Sequence, residues 1–237
     1  MANTYFSFKS FTIHQDRCAM KVTTDACLFG AWCAEEIKKQ PAENLLDIGT
    51  GTGLLSLMIA QKNAVAIDAV EIDAEATEQA RENIEASPFK GITVHKQNVL
   101  DFELPKYDCI VSNPPFYENE LSSPSATKNV AHHSSELNWK NLFELIAKHL
   151  NPKGRFFLLL PYKRKQEIEG LLMVNHLYLE RVAIVRNSEG HSPFRLMIAG
   201  ANYPCSLEEE EEEVVIKEGN HYTDAFKALL KDYYLHL

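Results

Sequence analysis

The 237-residue chain lacks the features that would assign it at once to several common classes. No two of its five cysteines (Cys18, Cys27, Cys33, Cys109, Cys205) are separated by only two or three residues, and their number is odd. That spacing excludes a zinc ribbon and argues against a disulfide framework. No apolar run approaches the roughly 18 residues of a membrane span. Met1–Phe11 alternates aromatics without the apolar stretch of a secretory leader, so a soluble, cytoplasmic protein is expected. Net positive charge is missing as well: 24 Lys and Arg stand against 33 Asp and Glu, for a formal charge of −9. A chain whose whole surface adheres to nucleic acid carries a basic footprint, so that class is excluded while a local patch is not. Six of the acids form one run, Glu208 to Glu213, so the acidity is partly a tract. Neither an internal repeat nor a clear linker interrupts the sequence, and one domain over residues 1–237 is expected.

What is present is alternation. Asn44–Ile48 is a short apolar run closed by glycines, followed by helical spacing over Leu54–Gln61. Ala64–Val70 reads as a second strand and Ala74–Ala86 as a second helix. Ile92–His95 and Tyr107–Val111 read as further strands. Strands alternating with helices indicate βαβ units and a parallel sheet. Farther on, Asn138–Leu150 reads as a helix stopped by Asn151-Pro-Lys-Gly154, and Phe156–Leu160 as an apolar strand. A helix is expected over Glu167–Val174, then a closing hairpin of Leu177–Val185 and Phe194–Ala201. Val214–Ile216 reads as a short strand, and Asp224–Tyr234 as the last helix. Ahead of the first sheet strand, Ala26–Lys38 suits a helix capped by Thr24 or Asp25. The polar stretch Tyr117–Ser135 is long for a connection in a compact domain, and such segments are often lids.

The turn Asp47-Ile-Gly49-Thr-Gly51-Thr-Gly53 links the first strand to the first helix of the alternating region. Glycines let the backbone turn tightly and approach a ligand, and the helix start offers free N–H groups. Glu71, ending the second strand, can accept hydrogen bonds from a ribose diol. A dinucleotide enzyme requires G-x-G-x-x-G, which neither frame supplies, because Leu54 and Ser56 stand where the third glycine belongs. The G-x-G-x-G with its preceding acid instead resembles motif I of the class I S-adenosylmethionine methyltransferases. Asp47 can equally be a loop-bracing acid, and Glu71 a solvated carboxylate at a strand end. After the third strand, Asn98 stands where such enzymes usually place an Asp against the cofactor adenine; its amide oxygen and the Val99 N–H can meet that ring, or Asn98 is a plain loop residue.

Asn113-Pro114-Pro115-Phe116 follows the fourth strand, on the edge of an open α/β sheet where ligands bind. An exocyclic adenine amine is a poor nucleophile because its lone pair is delocalised into the ring. The Asn113 side-chain oxygen and the Pro114 carbonyl can accept its two hydrogens and favour a more tetrahedral nitrogen. Phe116 can stack on a flipped base. Pro114 and Pro115 stiffen the loop and remove competing donors. Cytosine C5 chemistry is disfavoured, since no cysteine lies in this loop. The tetrapeptide resembles motif IV of the amino-methyltransferases.

Phe8-Lys9-x-Phe11, Arg17 through Ala26, Leu28-Phe-Gly-Ala-Trp32 and Tyr222-Thr223 narrow the match. With the motif IV loop they resemble the bacterial tRNA1(Val) adenine-N6-methyltransferase family over nearly the whole chain. The resemblance implies a Rossmann-like class I methyltransferase fold, α/β, with a seven-stranded mostly parallel sheet, an antiparallel last strand and helices on both faces. It implies S-adenosylmethionine as cofactor, tRNA as substrate, and transfer to N6 of the adenine 3′ of a valine anticodon. Residues 1–43 would contribute to the active-site mouth, with Lys21 and Asp25 beside it. His132-His133 departs from the family's usual Arg-His pair; no third metal ligand is evident and no metal is expected.

Lys163-Arg164-Lys165 follows a strand on the ligand-binding edge, and Arg186 and Arg195 flank the expected hairpin. Such residues can hold RNA phosphates without reading sequence, or simply form a solvated helix start. The acidic run reads as a solvated loop or strand approach. Two other functions remain: protein glutamine-N5 methylation, which uses the same loop on an amide nitrogen, and a non-catalytic module binding S-adenosylmethionine and RNA. A monomer is the simplest assembly.

Overall fold

The computed structural model of the chain describes residues 3–101, 103, 105–114, 137–204 and 210–237. A small antiparallel hairpin comes first, β1 (Tyr5–Ser7) with β2 (Thr12–His14). Helix α1 (Thr24–Lys39) follows, capped by Thr23, whose hydroxyl accepts from the Ala26 N–H at 3.4 Å. The cap therefore precedes both residues that the sequence offered for it. Thr23 is the last residue with extended backbone, and that conformation turns its hydroxyl onto the free amides of the first turn.

The alternating region then folds as its apolar spacing dictates: β3 (Asn44–Ile48), α2 (Leu54–Ala60), β4 (Ala66–Glu71), α3 (Ala74–Glu85), β5 (Ile92–Lys96) and β6 (Tyr107–Ser112). The second half supplies α4 (Trp139–His149), β7 (Leu150–Pro161), α5 (Lys165–Val174), β8 (Tyr178–Ser188), β9 (Arg195–Ala201), β10 (Glu210–Glu218), β11 (His221–Tyr222) and α6 (Asp224–Leu230). Nine strands form one sheet in the order β11-β10-β8-β9-β7-β6-β3-β4-β5. Strand β9 runs antiparallel between β7 and β8, as a closing hairpin requires. The seven strands of the expected sheet are thus present; β10, which contains the expected Val214–Ile216, and β11 extend it to nine. Side chains alternate across the sheet. Leu45, Phe157 and Val185 face α1, α2 and α6, while Leu46, Phe156 and Leu158 face α4 and α5. Among the described residues no helix is long and apolar enough to cross a membrane.

Two expectations need correction. Helix α4 stops at His149 as the Asn151-Pro-Lys-Gly154 signal requires, but the next strand starts before Phe156: β7 begins at Leu150 and absorbs these residues as a register shift against β6. Lys153 takes φ 67°, and a Cβ on Gly154 would lie 2.9 Å from the Asn151 carbonyl oxygen. The acidic run is no solvated loop from Glu210 onward: it begins β10, parallel to β8. Glutamate is a poor strand former, but cations meet these side chains. Lys165 lies 3.3 Å from Glu211, Arg181 lies 2.9 Å from Glu212, and Arg186 pairs with Glu213. The Trp32 indole N–H also donates to Glu212, at 3.1 Å.

The start and end of the fold are joined. Phe8 bridges to Tyr234, and the Lys9 N–H donates to the Tyr233 carbonyl at 2.8 Å. The Tyr233 hydroxyl reaches the Met58 carbonyl in α2 at 2.9 Å. Helix α6 ends at Leu230 rather than Tyr234 because these two tyrosines turn inward and are largely withdrawn from solvent.

Candidate active site

The ends of β3, β4 and β6 meet the 97–99 turn around a cavity of about 300 Å³. Ile48, Val70, Ile72 and Val99 make its walls apolar, and Glu71, Asn98 and Asn113 supply polar edges. Gly49 and Gly51 form its floor with φ 70° and 55°, a region that L side chains rarely enter. A Cβ at either position would meet no atom within 4 Å, so conformation rather than crowding demands glycine there.

Glu71 holds this floor in place. One carboxylate oxygen accepts from the Gly51 N–H at 2.9 Å, and the other from Ile72 and Asp73 at 2.9 and 3.0 Å. Asp47 acts from beneath. It is fully buried, and its Oδ2 accepts from Thr50 Oγ1 at 2.7 Å and Ser56 Oγ at 2.6 Å. Burial pushes its carboxyl up to about 6, against the opposing pull of the two hydroxyls. Asp47 does not line the cavity, and its geometry is that of the bracing acid. Gly53 also lies off the cavity, packed against Ile84 and Ala80 as the residue before α2.

Asn113 stands at the opposite wall. The preceding Ser112 donates to the Ile48 carbonyl at 2.8 Å, which fixes the end of β6 to the end of β3. The Asn113 Oδ1 atom is buried and meets no hydrogen-bond partner among the described residues. An acceptor in that position costs stability unless a ligand satisfies it. Pro114 is buried beside it, while Pro115, Phe116, the expected lid and His132-His133 lie outside the described residues. Asn98 lines the cavity, with its Oδ1 accepting from the Leu100 N–H at 3.1 Å. Among the described residues no cluster of His, Cys, Asp or Glu suited to a metal occurs.

The N-terminal segment completes the wall. Cys18, Ala19 and Met20 line the cavity, whereas Lys21 does not. The Lys21 ammonium bonds to the carbonyls of Gln15 and of Cys18, the latter at 3.2 Å, and so clasps the loop. Asp25 accepts from Arg195 Nε at 2.9 Å, away from the cavity. Of the basic residues singled out in sequence, Arg164 pairs with Glu167, Lys165 with Glu211, Arg186 with Glu213 and Arg195 with Asp25. Sequence reasoning missed Met20, Ile72, Gln97 and Leu137, all on the cavity. Of these only Ile72, an apolar residue directly after the strand-end acid, left a local signal; it is 61% exposed.

Comparisons with known proteins show the family. The Methyltransferase small domain family, MTS, matches residues 31–187. A protein of Tolumonas auensis named tRNA1(Val) (adenine(37)-N6)-methyltransferase is 39% identical over 100% of this chain and 99% of its own length. One of the same name from Dyadobacter fermentans is 41% identical over 98% of each chain. Among solved structures, the magnesium protoporphyrin IX methyltransferase of Synechocystis with bound SAM superposes with a TM-score of 0.53 at 14% identity. That superposition covers 76% of this chain and 79% of that one. The likeness is one of fold.

Proposed function

The chain belongs to the tRNA1(Val) (adenine(37)-N6)-methyltransferase family, and we propose that Asn113 and Pro114 hold the amine that its reaction methylates. The fold is the Rossmann-like class I methyltransferase fold, and the activity is transfer of a methyl group from S-adenosylmethionine to N6 of an adenine in tRNA. We propose further that residues 1–237 act as one cytoplasmic, monomeric unit in which residues 1–43 contribute to the mouth of the site. The presence of Cys18, Ala19 and Met20 on the cavity supports that reading.

The cavity residues fit the cofactor. A floor of positive-φ glycines, an apolar slot and a strand-end carboxylate suit a nucleoside without a pyrophosphate. Gly49, Gly51, Glu71, Asn98 and Val99 would hold it, with Asp47 and Gly53 shaping the turn and Lys21 clasping the loop beside it. When bound, the cofactor supplies an electrophilic methyl group. Asn113 Oδ1 and the Pro114 carbonyl accept the two N6 hydrogens of a flipped adenine and draw the nitrogen lone pair out of the ring. Phe116 and Pro115, which lie outside the described residues, are proposed for stacking on the base and for stiffening the loop. The proton leaves after transfer, so no strong base is required, and the residues contribute mainly by positioning. The Lys163–Lys165 segment, Arg186 and Arg195 are proposed to face tRNA phosphates.

The observation that carries this reading is the buried Asn113 Oδ1 on the cavity wall, which meets no hydrogen-bond partner among the described residues. Asn113→Ala should abolish methyl transfer to unmodified tRNA while S-adenosylmethionine still binds by calorimetry. Full activity in that variant would remove Asn113 from the role. Label recovered only in a release-factor-like protein would favour glutamine methylation instead.

A further inference from the structure

One buried amide joins three separate parts of the cofactor wall. Asn83 lies in α3, 1% exposed, and its side chain pairs with the backbone of His14 as a strand would. Its Oδ1 accepts from the His14 N–H at 2.9 Å, and its Nδ2 donates to the His14 carbonyl at 2.9 Å. The same Nδ2 donates to the carbonyl of Thr52, in the glycine turn, also at 2.9 Å. One turn earlier Gln79, equally buried, accepts from the Arg17 N–H at 3.2 Å, and Arg17 pairs with Glu82 on the next turn.

The segment these residues hold is the one that lines the cavity. Between His14 and Val22 the chain forms a strap closed on itself: Gln15 Oε1 accepts from the Val22 N–H at 2.7 Å, and Lys21 clasps the Gln15 and Cys18 carbonyls. The strap presents Cys18, Ala19 and Met20 to the cavity, with Cys18 itself buried. None of the strap's own bonds fixes it relative to Gly49 and Gly51. The Asn83 amide does, because it bonds strap and glycine turn at once.

Resting on the cofactor assignment above, we propose that Asn83 is a positioning residue which couples the N-terminal strap to the glycine turn, so that the two close on the cofactor as a single wall. Asn83 touches neither cofactor nor substrate in this role. Replacing it leaves three backbone groups to find other partners and releases the strap, which should weaken cofactor binding about tenfold. Binding of tRNA and turnover at saturating cofactor should change by no more than about twofold, because the Asn113 wall is anchored independently through Ser112.

The test titrates S-adenosylhomocysteine into wild type, Asn83→Ala, Gln79→Ala and Tyr107→Phe, and measures KM separately for S-adenosylmethionine and tRNA. Tyr107→Phe loses a distant 2.9 Å bond to Asp68 and controls for general destabilisation. The expected result is a selective rise in Kd and in KM for the cofactor, largest in Asn83→Ala, smaller in Gln79→Ala and absent in Tyr107→Phe. A folded Asn83→Ala with unchanged Kd, or equal weakening in Tyr107→Phe, would overturn the proposal. Should Asn83→Ala fail to fold, an unchanged Kd in Gln79→Ala overturns it alone. Wild type that binds no S-adenosylhomocysteine would instead sink the cofactor assignment itself.

Discussion

Asp47 shows how one residue ties the site to solution conditions. An Asp carboxyl in an unfolded chain titrates near 4, whereas burial moves Asp47 up to about 6. Between those values the folded chain keeps a proton that the unfolded chain has lost. This group's contribution is therefore fully present below about pH 4 and lost as pH rises through about 6. Asp47→Asn removes that dependence while keeping an oxygen for Thr50 and Ser56. Urea unfolding at a series of pH values should show wild type losing on the order of 2–3 kcal/mol relative to the variant between pH 4 and pH 7. A difference independent of pH would show that the carboxyl titrates normally. The same residue marks a limit of reading sequence: motif spacing located Asp47, but only burial separates a brace from a ligand contact.

At the scale of elements, the alternation from Asn44 to Ser112 was legible because each strand is apolar and ends at a glycine, proline or charged residue. The start of α1 was less so, since Thr23, Thr24 and Asp25 are all good caps by residue type. The geometry separates them. Thr23→Ala should lower stability by about 1 kcal/mol in denaturant titration, with Thr24→Ala causing little change. Equal losses would show that the cap is shared. Strand β10 was not legible beyond its valines and isoleucine, because its first residues become strand-like only when Lys165, Arg181 and Arg186 meet them from distant positions. The joint between strap and α3 was invisible for the same reason: Asn83 and His14 are 69 residues apart.

For the molecule as a whole, the formal charge of −9 excluded less than its size suggests, because part of the acidic run is paired with cations along the edge of β10. Two of the proposed RNA-facing cations, Lys165 and Arg186, pair with it, so a phosphate arriving at Arg186 must compete with Glu213. Glu213→Gln should therefore tighten tRNA binding at low salt by a few-fold and steepen its salt dependence, measured by filter binding across an ionic-strength series. Unchanged affinity and slope would place the RNA elsewhere.

The contact of Phe8 and Lys9 with Tyr233 and Tyr234 has a consequence for synthesis. The ribosome makes the hairpin ahead of the strap first, yet the partners that seat it emerge more than two hundred residues later. A growing chain can assemble the glycine turn and its sheet early, but the hairpin waits for α6 and its tyrosines. Termination before Tyr233 would leave the hairpin without these partners. Seating of the hairpin is in that sense reserved for polypeptides translated through Tyr234.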